Sequence, residues 1–300
     1  MRTNDTYGRS VFAAIAATAL TATGTAAQAP LDVQAVLTRV GERVAEYYRR
    51  VQNVICIEKT TVQPITHDFS LMGFLRVTES ELHIEPGTTG DGDGATGATV
   101  VRRLLRINGR APRDKDKTDH AGCTDPNPLS PEPLAFLLPA NREDYKFSSA
   151  GFGKGKERDV LFIDFMSLGP SGEGTLVEDV NGRPDCFSWT LPVQLRGRVW
   201  IDTPTYDVLR VEIHLASLAT IKVSARQQIK HGLPTWIVID RYDRTIRYKT
   251  IAFKDPDDAM LLPESIETLL MVRSALQSIR KQEQYSGYRR FVTGGRVVKD

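Results

Sequence analysis

The stretch GRVWIDTPTYDVLRVEIHL, residues 197–215, decides the fold. Two apolar runs flank Thr203-Pro204-Thr205-Tyr206-Asp207, and a ladder of β-branched residues follows, so the spacing predicts a long antiparallel hairpin. In its second arm Leu209, Val211, Ile213 and Leu215 alternate with Arg210, Glu212 and His214, giving the strand one dry and one wet face.

The same idiom of strand, short turn and strand runs in both directions. Upstream, residues 54–62, 71–85, 99–107, 145–152, 160–168 and 198–202 read as strands; downstream, 208–215, 220–229, 235–241, 245–253, 264–272 and 281–291 do. Residues 31–51, LDVQAVLTRVGERVAEYYRRV, place Val33, Val36, Leu37, Val40, Val44, Tyr47 and Tyr48 on one helical stripe. In SPEPLAFLL, residues 130–138, Ser130 suits an N-cap and Pro131 the first turn of a short apolar helix that Pro139 stops. A sheet of about 11–12 strands is too long to stay flat and open. The expected fold is therefore α+β: a curled antiparallel sheet, an open or half β-barrel, with the amphipathic helix and the short helix over its concave face.

Arg2 and Arg9 precede VFAAIAATALTAT, whose apolar run falls short of the about 20 residues a membrane helix needs, and small residues follow. Residues 1–27 are expected to be a cleaved signal peptide and 28–300 a single domain, exported to the periplasm with no integral membrane segment. The leader holds two arginines and one aspartate, so 37 basic and 36 acidic residues remain, a balance that offers no field for nucleic acid. The Gly/Asp/Thr stretch 87–99 reads as a hairpin loop. Three cysteines in an exported chain permit one disulfide. Cys123 and Cys186 sit in turn-rich segments and are the expected pair, although sequence does not fix connectivity; Cys56 alternates with Val54 in an apolar strand and reads as a buried thiol.

Local motifs point away from chemistry. Gly151-Phe152-Gly153-Lys154-Gly155-Lys156 leads into a strand and lacks the helix N-terminus a phosphate loop needs. Ser171 in GPSGEG has Glu173 where a nucleophile elbow needs glycine. His67, His83, His120, His214 and His231 stand singly, without metal-site spacing. The calcium-like ladder of Asp91 and Asp93 fails at Ala95. Asp202, Asp207, Asp240 and Asp243 read as strand-end residues, with a carboxylate pair across the sheet as the alternative. Strands such as SIRKQEQYSGYRRF would expose charge to lipid in a transmembrane barrel.

The hairpin Gly197-Arg198-Val199-Trp200-Ile201-Asp202, then Thr205 and Val208-Leu209-Arg210-Val211, with a late Leu262-Pro263-Glu264 opening a strand and Tyr285-Ser286-Gly287-Tyr288-Arg289-Arg290-Phe291 near the end, resembles the lipoprotein-localisation family of LolA and LolB, which shares its fold with RseB. The resemblance implies an unclosed barrel whose concave apolar face holds acyl chains under a helical lid. The function so implied is a soluble, non-enzymatic carrier or sensor whose partner is a lipid or an acylated lipoprotein, without catalytic residues, cofactor or metal. Its cavity positions would be Phe136 and Leu137 on the short helix and Leu209, Val211, Ile213, Ile221, Val223, Ile237, Ile239, Ile266 and Leu270 on the best-patterned strands. Two outcomes are open for these side chains, an acyl cavity or a solid core. A module that docks an envelope protein by strand addition and an unrecognised hydrolase are the rival readings.

Overall fold

The opening helix follows its stripe. The Asp32 carboxylate accepts from the backbone N–H groups of Gln34 at 3.0 Å and Ala35 at 3.2 Å, capping α1 (Val33–Arg50). Val36, Leu37, Val40, Val44 and Tyr48 are buried along it. The computed structural model describes residues 31–52, 54–86, 98–113, 132–154, 159–169, 172–178, 187–190, 193–254, 257–273 and 277–290. The expected leader and the expected Cys123–Cys186 pair lie outside the described residues.

Thirteen described strands form one sheet: β1 (Val54–Ile65), β2 (Arg76–Pro86), β3 (Ala98–Ile107), β4 (Tyr145–Lys154), β5 (Asp159–Ser167), β6 (Gly174–Glu178), β7 (Phe187–Thr190), β8 (Leu195–Asp202), β9 (Val208–Leu215), β10 (Ala219–Lys222), β11 (Trp236–Lys254), β12 (Asp257–Arg273) and β13 (Ser278–Arg290). Its main path runs β3-β2-β1-β13-β12-β11-β9-β8-β5-β4, and β10, β6 and β7 branch from β11. Pairing is antiparallel except between β10 and β6. The hairpin of residues 197–215 forms as its pattern requires, with Leu195 opposite Leu215 and Val199 opposite Val211.

The expected curled half-barrel is not formed: the sheet is open. Closure would require β3 and β4 to meet, and they stand at opposite ends of the path. Both edges are also unsuited to pairing, with Arg102, Arg103 and Arg106 along β3 and Lys146, Gly151, Gly153 and Lys154 along β4. Strand count alone overstated the need to curl, because a sheet whose apolar face is covered by other elements need not roll up to bury it. Here α1 and two 3₁₀ segments, Glu132–Leu137 and Pro139–Asp144, provide that cover. Tyr47 of α1 meets Tyr248 of β11 edge-on at 6.4 Å, and Phe136 packs on Phe165 of β5 at 4.5 Å.

Three local readings also change. Residues 224–232 form a helix, α2 (Ala225–His231), in place of the end of a strand. Ser224 and Gln227 make a reciprocal capping box, and Gly232 closes the helix in the left-handed region at φ 64°. Residues 71–75 belong to the β1–β2 turn, with β2 starting at Arg76. Strand β11 runs unbroken through Tyr242-Asp243-Arg244, so Asp240 and Asp243 lie within a strand and not at strand ends.

One row across the buried face shows how the core is organised. Val199, Val211, Ile246 and Ile266 are successive cross-strand partners and are essentially inaccessible. The row then continues into Glu283 and Thr60, also buried. Apolar packing thus gives way, towards β1 and β13, to a buried polar group in which Arg102 binds Glu58 at 2.8 Å and Lys281 binds Glu283 at 3.1 Å.

Gly197 is required by a close approach inside the hairpin. A Cβ there would lie 1.9 Å from the Glu212 carbonyl oxygen and 2.6 Å from the Phe165 ring, its cross-strand partner. Gly197→Ala must separate β8 from β9, and it should lower stability by about 1–3 kcal/mol or more, read as an earlier urea midpoint with an unchanged slope. An unchanged midpoint would show that the two strands are not held this closely.

Candidate functional site

The eleven apolar positions proposed for an acyl cavity are placed mostly in packed interior. Ile221, Val223, Ile237 and Ile239 are buried in one cluster with Leu176, Ala219 and Val272, and Leu270 packs against it. Val211 and Ile266 belong to the central row. Phe136 sits among Tyr145, Phe147 and Phe165, and Leu137 is fully buried. Ile213 and Leu209 are half-buried. A bulge opposite Trp200 and Ile201 explains Leu209, since it gives the inward place to Val208.

Open space lies on the opposite face. A groove of about 810 Å³ crosses β4, β5, β8, β9 and β11. Successive cross-strand partners Lys146, Met166, Arg196, His214 and Asp243 run across it. A second row holds Ser148, Asp164, Arg198 and Glu212. These are the wet positions of the alternating strands, so the sequence pattern had marked them only as solvent-facing.

Each carboxylate in the groove has a cationic neighbour. Arg198 donates to both oxygens of Asp164, at 2.6 and 3.0 Å, and that carboxylate holds the guanidinium more firmly in its charged form. Arg210 binds Glu212 while lying 4.7 Å over the Trp200 ring. Arg273 reaches Asp240 at 2.7 Å, and Asp243 is shared by Arg241 and by Nδ1 of His214 at 2.6 Å. Lys146 and Arg196 are exposed and form no ion pair among the described residues.

Beside this groove stands the β1–β2 turn. Phe69, Leu71, Met72, Phe74 and Leu75 are all exposed, Phe74 by 95% and Leu71 by 70%. The turn is nevertheless well tied. Thr66 N–H donates to the Ser70 carbonyl at 2.9 Å, Phe69 N–H to the Thr66 carbonyl at 3.0 Å, and Met72 N–H to the Pro64 carbonyl at 2.9 Å. The Asp68 carboxylate accepts from the Thr66 and Ser70 hydroxyls, which holds its pKa below the usual carboxylate range. Phe69 adopts φ 65°, a left-handed conformation that a bulky residue rarely takes. Arg241 of the groove lies 6.0 Å over the Phe69 ring, and His67 approaches Asp240 at 3.4 Å. Turn and groove therefore share a rim. The signal for the turn was present in LMGFL, whose consecutive apolar residues and glycine fit no alternating strand.

No family model matches the chain, and no curated protein does. Among solved structures it is similar to a LolA superfamily protein from Nitrosomonas europaea, at 9% identity and TM-score 0.31 over 88% of this chain and 95% of that one. It is also similar to a DUF1329 family protein from Desulfovibrio piger, at 11% identity and TM-score 0.35 over 87% and 94%. A Vibrio parahaemolyticus domain assigned to outer membrane lipoprotein sorting gives 12% identity and TM-score 0.32 over 85% and 93%. At such low scores the chemistry of the site rests on its own side chains.

Other reactive groups are placed apart from the groove. Cys56 is a free, fully buried thiol whose pKa is pushed up to about 12, chiefly by burial and then by the charge of Glu58. Asp202, also buried, accepts from the Thr205 hydroxyl at 2.6 Å and organises the β8–β9 turn. Among the described residues no group of three or more His, Cys, Asp or Glu side chains could hold a metal ion. No described helix is long and apolar enough to cross a membrane.

Proposed function

We propose that this chain is a non-catalytic periplasmic binding protein that engages a lipid surface or the acyl region of a lipoprotein through its β1–β2 turn. The observation carrying this reading is the concentration of five exposed large apolar side chains within residues 69–75, on a turn fixed by its own hydrogen bonds. Exposed apolar side chains are ordinary when scattered, but a contiguous group marks an interaction site. Pre-ordering lowers the entropic cost of binding. Arg76, Arg241 and Arg280 flank the turn in sequence or register, with Asp68 and Asp240 among them, so the apolar side chains and not a net charge carry the contact. The interior apolar positions act as core in this reading, and acyl chains are met at the tip.

The test is flotation with vesicles of phosphatidylethanolamine and phosphatidylglycerol. The protein should float with them, and Leu71→Ser/Phe74→Ser should weaken binding by more than tenfold, since each side chain gives up about 1.5–3 kcal/mol of apolar burial. Both residues are exposed, so the melting temperature should stay within a few degrees of the parent. A double variant that floats as well as the parent would remove the turn from the binding surface.

A further inference from the structure

From the groove beside the turn we infer a second, polar half of the same binding site: a cradle for a phosphate group borne by the amphiphile whose apolar part meets residues 69–75. The inference rests on the docking role of that turn. Its own support is the charge pattern of the groove. Asp164, Glu212, Asp240 and Asp243 are already engaged by Arg198, Arg210, Arg273, Arg241 and His214. The charges left over are both positive, Lys146 and Arg196, in the row that crosses the groove floor.

The geometry suits a tetrahedral anion. Arg196 lies one strand from His214 and two from Lys146. Adjacent strands are about 4.8 Å apart, so the long side chains of Lys146 and Arg196 can converge on a group above Met166, which lies between them. The guanidinium of Arg196 offers a planar fork of donors, matched to two phosphate oxygens at once. Asp243 orients His214 by accepting from Nδ1–H, which leaves Nε2 to accept from a hydroxyl of a singly protonated phosphate, and the Ser148 hydroxyl lines the same groove. At about 810 Å³ the groove has room for a headgroup, and ligand sites commonly fall within about 300–1,000 Å³. Contact between Arg241 and the Phe69 ring brings the rim of the groove to the apolar tip. A ligand with a phosphate at one end and apolar chains at the other would meet matching surface along its length.

The experiment is a titration of the protein, followed by amide and arginine side-chain chemical shifts, with inorganic phosphate, dihexanoyl phosphatidic acid and dihexanoyl phosphatidylcholine. Arg196→Gln and Lys146→Gln remove the cations, and Leu71→Ser/Phe74→Ser blunts the turn. Phosphatidic acid should shift signals of Arg196 and its neighbours, and each cation variant should weaken its binding about tenfold. Tighter binding of phosphatidic acid than of inorganic phosphate, with the excess lost in the turn variant, identifies a lipid headgroup as the ligand. Equal binding of the two, unaffected by the turn variant, would assign the cradle to free phosphate and overturn its link to the amphiphile. Absence of shifts at Arg196 with any phosphate compound, or affinities unchanged in both cation variants, would dispose of the cradle. Vesicle flotation through the turn could persist in that event, so the two readings fail separately.

Discussion

Replacing Val211 with glutamate is expected to unfold the protein. Val211 has no accessible surface and is held between Val199 and Ile246 as their cross-strand partner. A carboxyl group there replaces apolar contacts with Val199 and Ile246, and it is buried whether it keeps its charge or takes a proton. Together these effects should cost about 4 kcal/mol or more, a large share of the about 5–15 kcal/mol that stabilises a typical domain. Ile239→Glu, inside the cluster of Ile221, Ile237 and Val272, should behave alike. Leu209→Glu, at the half-buried bulge position, should cost clearly less. Circular dichroism during urea unfolding would separate the three. If Val211→Glu keeps the parent's midpoint, the interior of this face is an accessible cavity after all, and acyl carriage inside the sheet becomes the better account.

The second large effect is expected at the buried polar end of the same sheet. Arg102 donates to Glu58, whose side chain is about 2% exposed and also accepts from Tyr285. Arg102→Met takes away the principal cation facing that carboxylate and should destabilise by about 3–5 kcal/mol, the usual result of breaking one side of a buried pair. Adding Glu58→Leu should restore much of the loss, because the pair is replaced by apolar groups. Burial raises the Glu58 pKa, and Glu283 raises it further, against the opposing influence of Arg102, Lys281 and the Tyr285 hydroxyl. The folded protein therefore binds this proton more readily than the unfolded chain does. The associated stability is complete below the unfolded carboxyl pKa and is lost as pH rises through the folded value. Without Arg102 that value moves higher still. The penalty of Arg102→Met should accordingly shrink on acidification from pH 7.5 to pH 5, measured by urea unfolding of both proteins. A penalty that grows on acidification would mean that Glu58 is not the group being stranded.

Alternation and helical period carried the sequence reading furthest. The stripe from Val36 to Tyr48 became the buried face of α1, and the two arms of residues 197–215 became β8 and β9 with Val211 inward and His214 outward. Both patterns report a local choice, one face wet and one dry, which neighbouring residues impose on each other. Ser224, Gln227 and Gly232 held an equally local helix signal, a capping box with a glycine stop, but apolar strand spacing through Ile221 and Val223 masked it.

What the chain determined by itself is thus the elements and which face of each avoids water. Whether the sheet would close was a different matter, because it depends on edges formed by residues 98–107 and 145–154, whose separation in space no local pattern encodes. The same holds for the site. Arg196, His214, Asp243 and Lys146 are distant in sequence and become neighbours only through the register of β4, β5, β8, β9 and β11. The turn of residues 69–75 reaches their rim only because β1 ends where Phe69 can lie under Arg241. Amphipathic pattern sorts side chains between water and core, whereas strand order and register decide which exposed side chains share a groove, and those are set by long-range pairing that exists only in the folded protein.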